Sequence, residues 1–229
     1  MKIFWKICKI IAIIISLLGI VGFGSILIET VQKVFHQPKL FLSFCTGGIV
    51  FSILWIFFFS KKGYFWSTLE HELTHAIFAL IFFKKIHSIS ASRKKGGLIK
   101  IDGGNAIIAL SPYFFPLACM PILLLKGVFP NQYQIFLNFL IGFTYFFHLL
   151  NLFKELHLDQ SDIISAGYLF SIIIIIFMNI IFLEIILLSL STDWLGIYSF
   201  FYNGVLNSVN YFITTVHYFF YIVYTRNTV

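Results

Sequence analysis

The chain has 229 residues, of which 59% are hydrophobic, 20% aromatic and only 11% charged. A soluble domain carries about 25% charge, and one of this size leaves too much surface exposed to hide so apolar a composition. A water-soluble fold is therefore excluded, and the 30 Phe exclude a disordered or linker-like chain. The bilayer is the solvent this composition requires, and the predicted fold class is an all-α polytopic membrane protein.

Much of the formal net charge of +7 sits in short clusters between apolar runs: Lys61–Lys62, Lys84–Lys85 and Arg93–Lys95. Loops that meet anionic headgroups have this pattern. The aromatics lie inside the apolar runs instead of along a basic face, so no nucleic-acid partner is expected. Cys8, Cys45 and Cys119 are far apart in apolar stretches; they make neither a disulfide framework nor a C-x-x-C site and read as small packing residues.

Spans need roughly 20 apolar residues each, which gives about six to seven transmembrane helices. The first candidate runs from about Ile7 to Ile28 behind Lys2 and Lys6. Its apolar run is long for a signal peptide, so a retained helix is expected. The second covers about Leu40 to Phe59, and the third, about Tyr64 to Phe83, contains Glu70, His71, Glu72 and His75. The stretch from Ile86 to Asn105 alternates apolar and polar residues around Lys-Lys-Gly-Gly, which predicts one short β-hairpin directly after the third helix. The fourth span, Ala106 to Leu125, holds Pro112, Pro116 and Pro121 and is expected to be kinked or broken. The fifth covers Gln134 to Phe153, the sixth Ile163 to Leu190, and the last about Gly204 to Tyr224. The positive-inside rule favours a cytoplasmic hairpin and an outside N-terminus, whereas Lys2, Lys6 and Lys9 pull the N-terminus inward. A span that does not fully cross resolves that conflict.

The third span carries the chemistry. His71-Glu72-Leu73-Thr74-His75 is an H-E-x-x-H motif, a pattern that arises in about 0.5% of shuffled sequences of this composition. On a helix, i and i+4 share a face, so His71 and His75 can present two imidazoles to one metal ion. Glu72 sits off that face but toward the same cavity, where it can take a proton from a metal-bound water. Ionisable groups inside an apolar helix are costly and usually functional. The plainer alternative is that the four polar residues lie at a helix end, facing water or Lys61 and Lys62. A zinc hydrolase site needs a third protein ligand, for which Asp102, Asp159, Asp162, Glu155 and Glu184 are the candidates downstream. Asp102-Gly103-Gly104 reads as turn chemistry, and His36, His87, His148, His157 and His217 read as loop or interior residues. Asp159 and Asp162 also suit helix N-capping or dipole pairing.

The H-E-x-x-H helix, the hairpin, the Pro-bearing segment Gly104-Asn105 through Ser111-Pro112-Tyr113-Phe114-Phe115-Pro116, and the later Gln160-Ser161-Asp162 together resemble the site-2 protease group of intramembrane metalloproteases, peptidase family M50, in its compact M50B-like branch. The resemblance covers roughly Trp66 to Asn179. It implies Zn2+ held by His71, His75 and an Asp, with Glu72 as catalytic base. Better-known members carry N-x-x-P-x-P-x-L-D-G; Asn151 and Leu158-Asp159 match its Asn, Leu and Asp, but Lys154 and Leu156 replace both prolines and Gln160 replaces the Gly. The compact branch has a Gln-Ser/Thr-Asp tripeptide, which selects Asp162 as third ligand with Asp159 as alternate. Asp162 also lies closer to the apolar body of the sixth span. Asn151, like the family's Asn, is expected to orient substrate, although an ordinary interhelical hydrogen bond accounts for it equally well.

The domain reading is two N-terminal helices in 1–63, an M50-like catalytic core in 64–190, and a C-terminal helix in 191–229. The expected function is an intramembrane zinc metalloendopeptidase that cuts membrane-embedded protein substrates, located in a bacterial inner (plasma) membrane. The alternative is a non-catalytic polytopic binding or scaffold protein that retains a degenerate motif. Substrate, regulator and oligomeric state are not encoded in any recognisable signal.

Overall fold

A computed structural model describes residues 2–59, 65–92, 96–157, 159–191 and 194–227. The fold is mostly helical with a small two-stranded sheet. Helix α1 spans Lys2–Phe35 and α2 Pro38–Leu54, whose last part continues as a π-helical turn, Trp55–Phe59. Helix α3 is Phe65–Ile81, followed by strands β1, Ile86–Ser92, and β2, Gly96–Ile101. Short helices α4 (Ala106–Leu110) and α5 (Met120–Lys126) precede α6 (Gln134–Glu155), α7 (Ser161–Ala166), α8 (Tyr168–Leu190) and α9 (Trp194–Asn227).

The expected hairpin is present, with β1 antiparallel to β2 and Ser92 opposite Gly96. Lys94 and Lys95 of its predicted turn, with Lys61, Lys62 and Leu158, lie outside the described residues. Gly96 and Gly97 belong to β2 itself and not to the turn.

Among the described residues, four helical stretches are long and apolar enough to cross a membrane: Ile3–Phe35, Pro38–Phe58, Asn131–Glu155 and Tyr168–Leu190. The expected seventh span, about Gly204 to Tyr224, lies within α9 and is not among these four; the third and fourth differ for identifiable reasons. Helix α3 is 17 residues long and carries the ionisable motif. The Ala106–Leu125 stretch is not one helix: Pro112 starts a 3-10 turn, Ser111–Tyr113, and Pro121 starts α5, with irregular backbone between. A proline lacks the N–H that continues a helix but suits a helix's first turn. The predicted sixth span is divided at Gly167, whose φ of 97° is open to glycine and strained for any side chain. That break separates α7 from α8 and leaves Asp162 on a short helix of its own.

Side-chain contacts set the helix directions. Lys9 Nζ donates to the carbonyl of Ala166 at 2.6 Å, Gly19 lies against Phe177, and Thr30 donates to Glu184; α1 and α8 therefore run parallel. Helix α9 packs against α1 as well, with Phe23 against Phe200 and Asn207 donating to Ser25 Oγ. Helices α2 and α6 are parallel and touch backbone to backbone. A Cβ on Gly47 would lie 2.0 Å from the Phe139 carbonyl oxygen, and one on Gly142 1.9 Å from that of Phe44, so this crossing needs glycine on both helices.

The main core joins these helices through Phe44, Cys119, Ile141, Tyr145, Ile186 and Leu190, with Cys119 in the packing role expected of it. A second cluster, with Leu110, Tyr113, Phe114 and Ile163, lies under the short helices. At the far end, the buried Lys126 donates to Asn138 Oδ1 at 2.6 Å and to the Ser189 carbonyl, while Asn138 donates to the Leu190 carbonyl at 3.2 Å. These bonds satisfy the last carbonyls of α8, which the helix itself leaves unpaired.

Candidate metal centre

Helix α3 presents His71 and His75 one turn apart, and their rings meet edge to face at 4.8 Å. Each Nδ1 is engaged from behind. His71 Nδ1 lies 2.8 Å from Glu155 Oε2 at the end of α6, and His75 Nδ1 lies 2.7 Å from the Ile108 carbonyl. That carbonyl is itself positioned by local sequence: Asn105 caps α4 by accepting from the Ile108 N–H at 2.8 Å. With Nδ1 donating outward, each Nε2 is left with a lone pair directed at a common point.

Asp162 closes that point. It stands in the first turn of α7, the place the capping alternative predicts, yet its Oδ2 lies 3.5 Å from both His71 Nε2 and His75 Nε2. One ligand atom from each of His71, His75 and Asp162 falls within 4.8 Å of the others. Two ligands at about 2.0–2.2 Å from a tetrahedral zinc are separated by roughly 3.4 Å, so the two His-to-Asp distances suit a bound ion. Burial opposes ionisation of Asp162, but its contacts with both imidazoles hold its carboxyl well below the usual carboxylate range. The donor set is thus two imidazoles and a carboxylate, which fits Zn2+ with a position left open.

The other residues of the motif divide by direction. Glu72 is buried and lies against β2, where a Cβ on Gly97 would fall 2.1 Å from Glu72 Oε1. A glycine at 97 is what lets the strand backbone approach the carboxylate. Glu70 points away from the imidazoles, accepting from the Ala118 N–H at 3.3 Å and from Asn151 Nδ2 at 3.4 Å. His71, Glu72, His75, Asp162 and the Gly96–Ile99 edge of β2 share one cavity of about 410 Å³.

Asp159 is exposed and outside this cluster. Asn151 is buried behind the site on Glu70 and does not line the cavity. Glu155, one of the candidate ligands downstream, engages the outer nitrogen of His71 and accepts from Ser67 through its other oxygen. Asp102 pairs with His87 at 2.6 Å on the exposed hairpin, and Glu184 is remote from the motif.

The sequence did not single out Ser67, Gly97 or Tyr113 as site residues. Tyr113 Oη reaches Asp162 Oδ2 at 3.5 Å, its ring edge meets His71 at 5.5 Å, and Asn179 holds its carbonyl at 2.9 Å. Its inclusion in the Ser111-Pro112-Tyr113 stretch was the available signal.

Because Glu155 orients His71 without joining the donor set, Glu155→Ala is expected to weaken zinc binding about ten- to hundredfold with the fold retained. Competition against a fluorescent chelator measures this; unchanged affinity would remove Glu155 from the site.

No known family, curated protein or solved structure matches the chain.

Proposed function

We propose that the protein is an intramembrane zinc metalloendopeptidase of the site-2 protease type, acting on membrane-embedded protein substrates within a bacterial inner (plasma) membrane. One observation carries the reading: His71, His75 and Asp162 converge their ligand atoms while Glu72 lines the same cavity. The fixed Nδ1 partners of both imidazoles add to it, since metal-binding histidines almost always have such an outer acceptor. In this reading α3 and α9 join the four long apolar helices within the bilayer.

Zinc in such a site supplies Lewis acidity toward a peptide carbonyl and brings the pKa of water to about 7. The chain's residues do the remaining work. His71, His75 and Asp162 hold the ion on one side of the cavity. The carboxylate of Glu72 accepts a proton from the attacking water as the new C–O bond forms, then delivers it to the amide nitrogen as the C–N bond breaks. Tyr113 supports the carboxylate of Asp162 through its hydroxyl.

A helical substrate keeps its amides in its own hydrogen bonds, so it must be extended before cleavage. Strand β2 borders the cavity, and among the described residues the hairpin pairs with no third strand, so an extended segment can add at its edge. Backbone pairing gives affinity that is largely indifferent to side-chain identity.

The test combines metal content with turnover. Detergent-purified protein is expected to hold about one zinc per chain by mass spectrometry and, in vesicles, to cleave a single-span reporter peptide. Phenanthroline treatment is expected to abolish cleavage, and stoichiometric zinc to restore it. Zinc at background in well-folded protein, or cleavage that survives chelation, would overturn the reading. Zinc present without cleavage of any reporter would favour a non-catalytic binding protein.

A further inference from the structure

A second polar cavity, of about 330 Å³, lies between α1, α8 and α9. It is well separated from the metal centre: Asp162 precedes Gly167, and the α8 segment from Gly167 to Glu184 is about 25 Å long. At its base stand Glu184, fully buried, and Thr30, 3% exposed. Thr30 donates to Glu184 Oε1, whereas Glu184 Oε2 is buried with no hydrogen-bond partner among the described residues. A buried carboxylate oxygen without a partner is costly in an apolar surround, and this one belongs to a residue that lines a cavity. Glu29 and Lys33 border the same cavity and are exposed, with Asn203 and Asn207 on its α9 wall.

The position along the helices limits what can enter. Lys33 is in the last turn of α1, and Glu184 lies about 9 Å of helix before the end of α8. That is headgroup depth in the leaflet opposite the metal centre. The charges narrow the choice further. A bare metal ion would meet the ammonium of Lys33, and a simple anion would meet two carboxylates. A zwitterion with an ammonium and a phosphodiester complements both. A smaller cavity of about 120 Å³ adjoins this one, sharing Thr30, Lys33 and Leu188, and is walled by Val34, Leu187 and Leu190. Its apolar side offers room for the start of an acyl chain.

We infer that this cavity binds a phosphoethanolamine headgroup, with the primary ammonium donating to Glu184 Oε2 and the phosphodiester on Lys33. A quaternary ammonium has no N–H and cannot make the first bond. The site therefore selects phosphatidylethanolamine over phosphatidylcholine.

The test is native mass spectrometry of the delipidated full chain with dioleoyl phosphatidylethanolamine or dioleoyl phosphatidylcholine added. One molecule of the ethanolamine lipid is expected to be retained per chain, with apparent affinity about tenfold or more above that of the choline lipid, as a charge-assisted bond gives. Glu184→Gln, which is isosteric and keeps an acceptor for Thr30, is expected to remove that preference. Lys33→Gln, at the exposed rim, is expected to weaken both lipids alike. Soluble glycerophosphoethanolamine separates the sources: displacement of the lipid assigns recognition to the headgroup alone, and retention assigns it to headgroup and chain together. Equal retention of the two lipids by the wild type would overturn the inference. So would an unchanged preference in Glu184→Gln, whose melting temperature serves as the folding control.

Discussion

Replacing Glu72 with Gln is expected to lower peptide-bond cleavage by about a thousandfold, within the range a positioned acid–base group contributes, while leaving about one zinc per chain. The amide has the shape of the carboxylate, so it fits the space that Gly97 leaves open beside it. It cannot accept the proton of the attacking water. Glu72 is also not one of the three converging ligands, and its loss does not dismantle them. Cleavage of the reporter and metal content, measured on the same preparation, separate the two roles. Cleavage at wild-type rate would remove Glu72 from the chemistry, and loss of zinc would make it a ligand.

Asp162→Ala is expected to reduce zinc to background, whereas Asp159→Asn is expected to leave both zinc and cleavage unchanged. The reason is geometric. Asp162 Oδ2 is 3.5 Å from each imidazole Nε2, while Asp159 is exposed and outside the cavity. The loss on Asp162→Ala should exceed the ten- to hundredfold typical of removing an outer hydrogen bond, and so exceed that of Glu155→Ala. Mass spectrometry of the three variants, with melting temperatures as the folding control, orders these effects. Zinc retained by Asp162→Ala and lost by Asp159→Asn would reverse the assignment.

Several features were legible from residues alone. Composition required a bilayer, the alternation from Ile86 onward required a hairpin, and i,i+4 spacing put His71 and His75 on one face. Each is a local or bulk property, set by hydrophobic transfer or by backbone periodicity, and needs no distant partner. The number of complete crossings was less legible. Pro112, Pro116 and Pro121 announced a break in the fourth stretch, but whether a chain kinks or stops depends on what satisfies the freed carbonyls, and that is a tertiary matter. Gly167 gave no such warning. Its break shows only as a positive φ, a conformation glycine adopts without a sequence signature.

What the sequence by itself determined, then, is the solvent of the fold and the pair of imidazoles on α3. Only the tertiary structure decided which acidic residue faces them. Asp159 and Asp162 are three positions apart and chemically identical; the family resemblance and the nearness of Asp162 to the apolar sixth span favoured Asp162, but neither gives a distance to the imidazoles. The turn at Gly167 and the packing of α4 against α7 place Asp162 beside His71 and His75 and leave Asp159 in the open. The same holds for Glu155, whose oxygen meets His71 across 84 positions of chain. A ligand set is a statement about distances between elements, and those distances come into being when the helices pack.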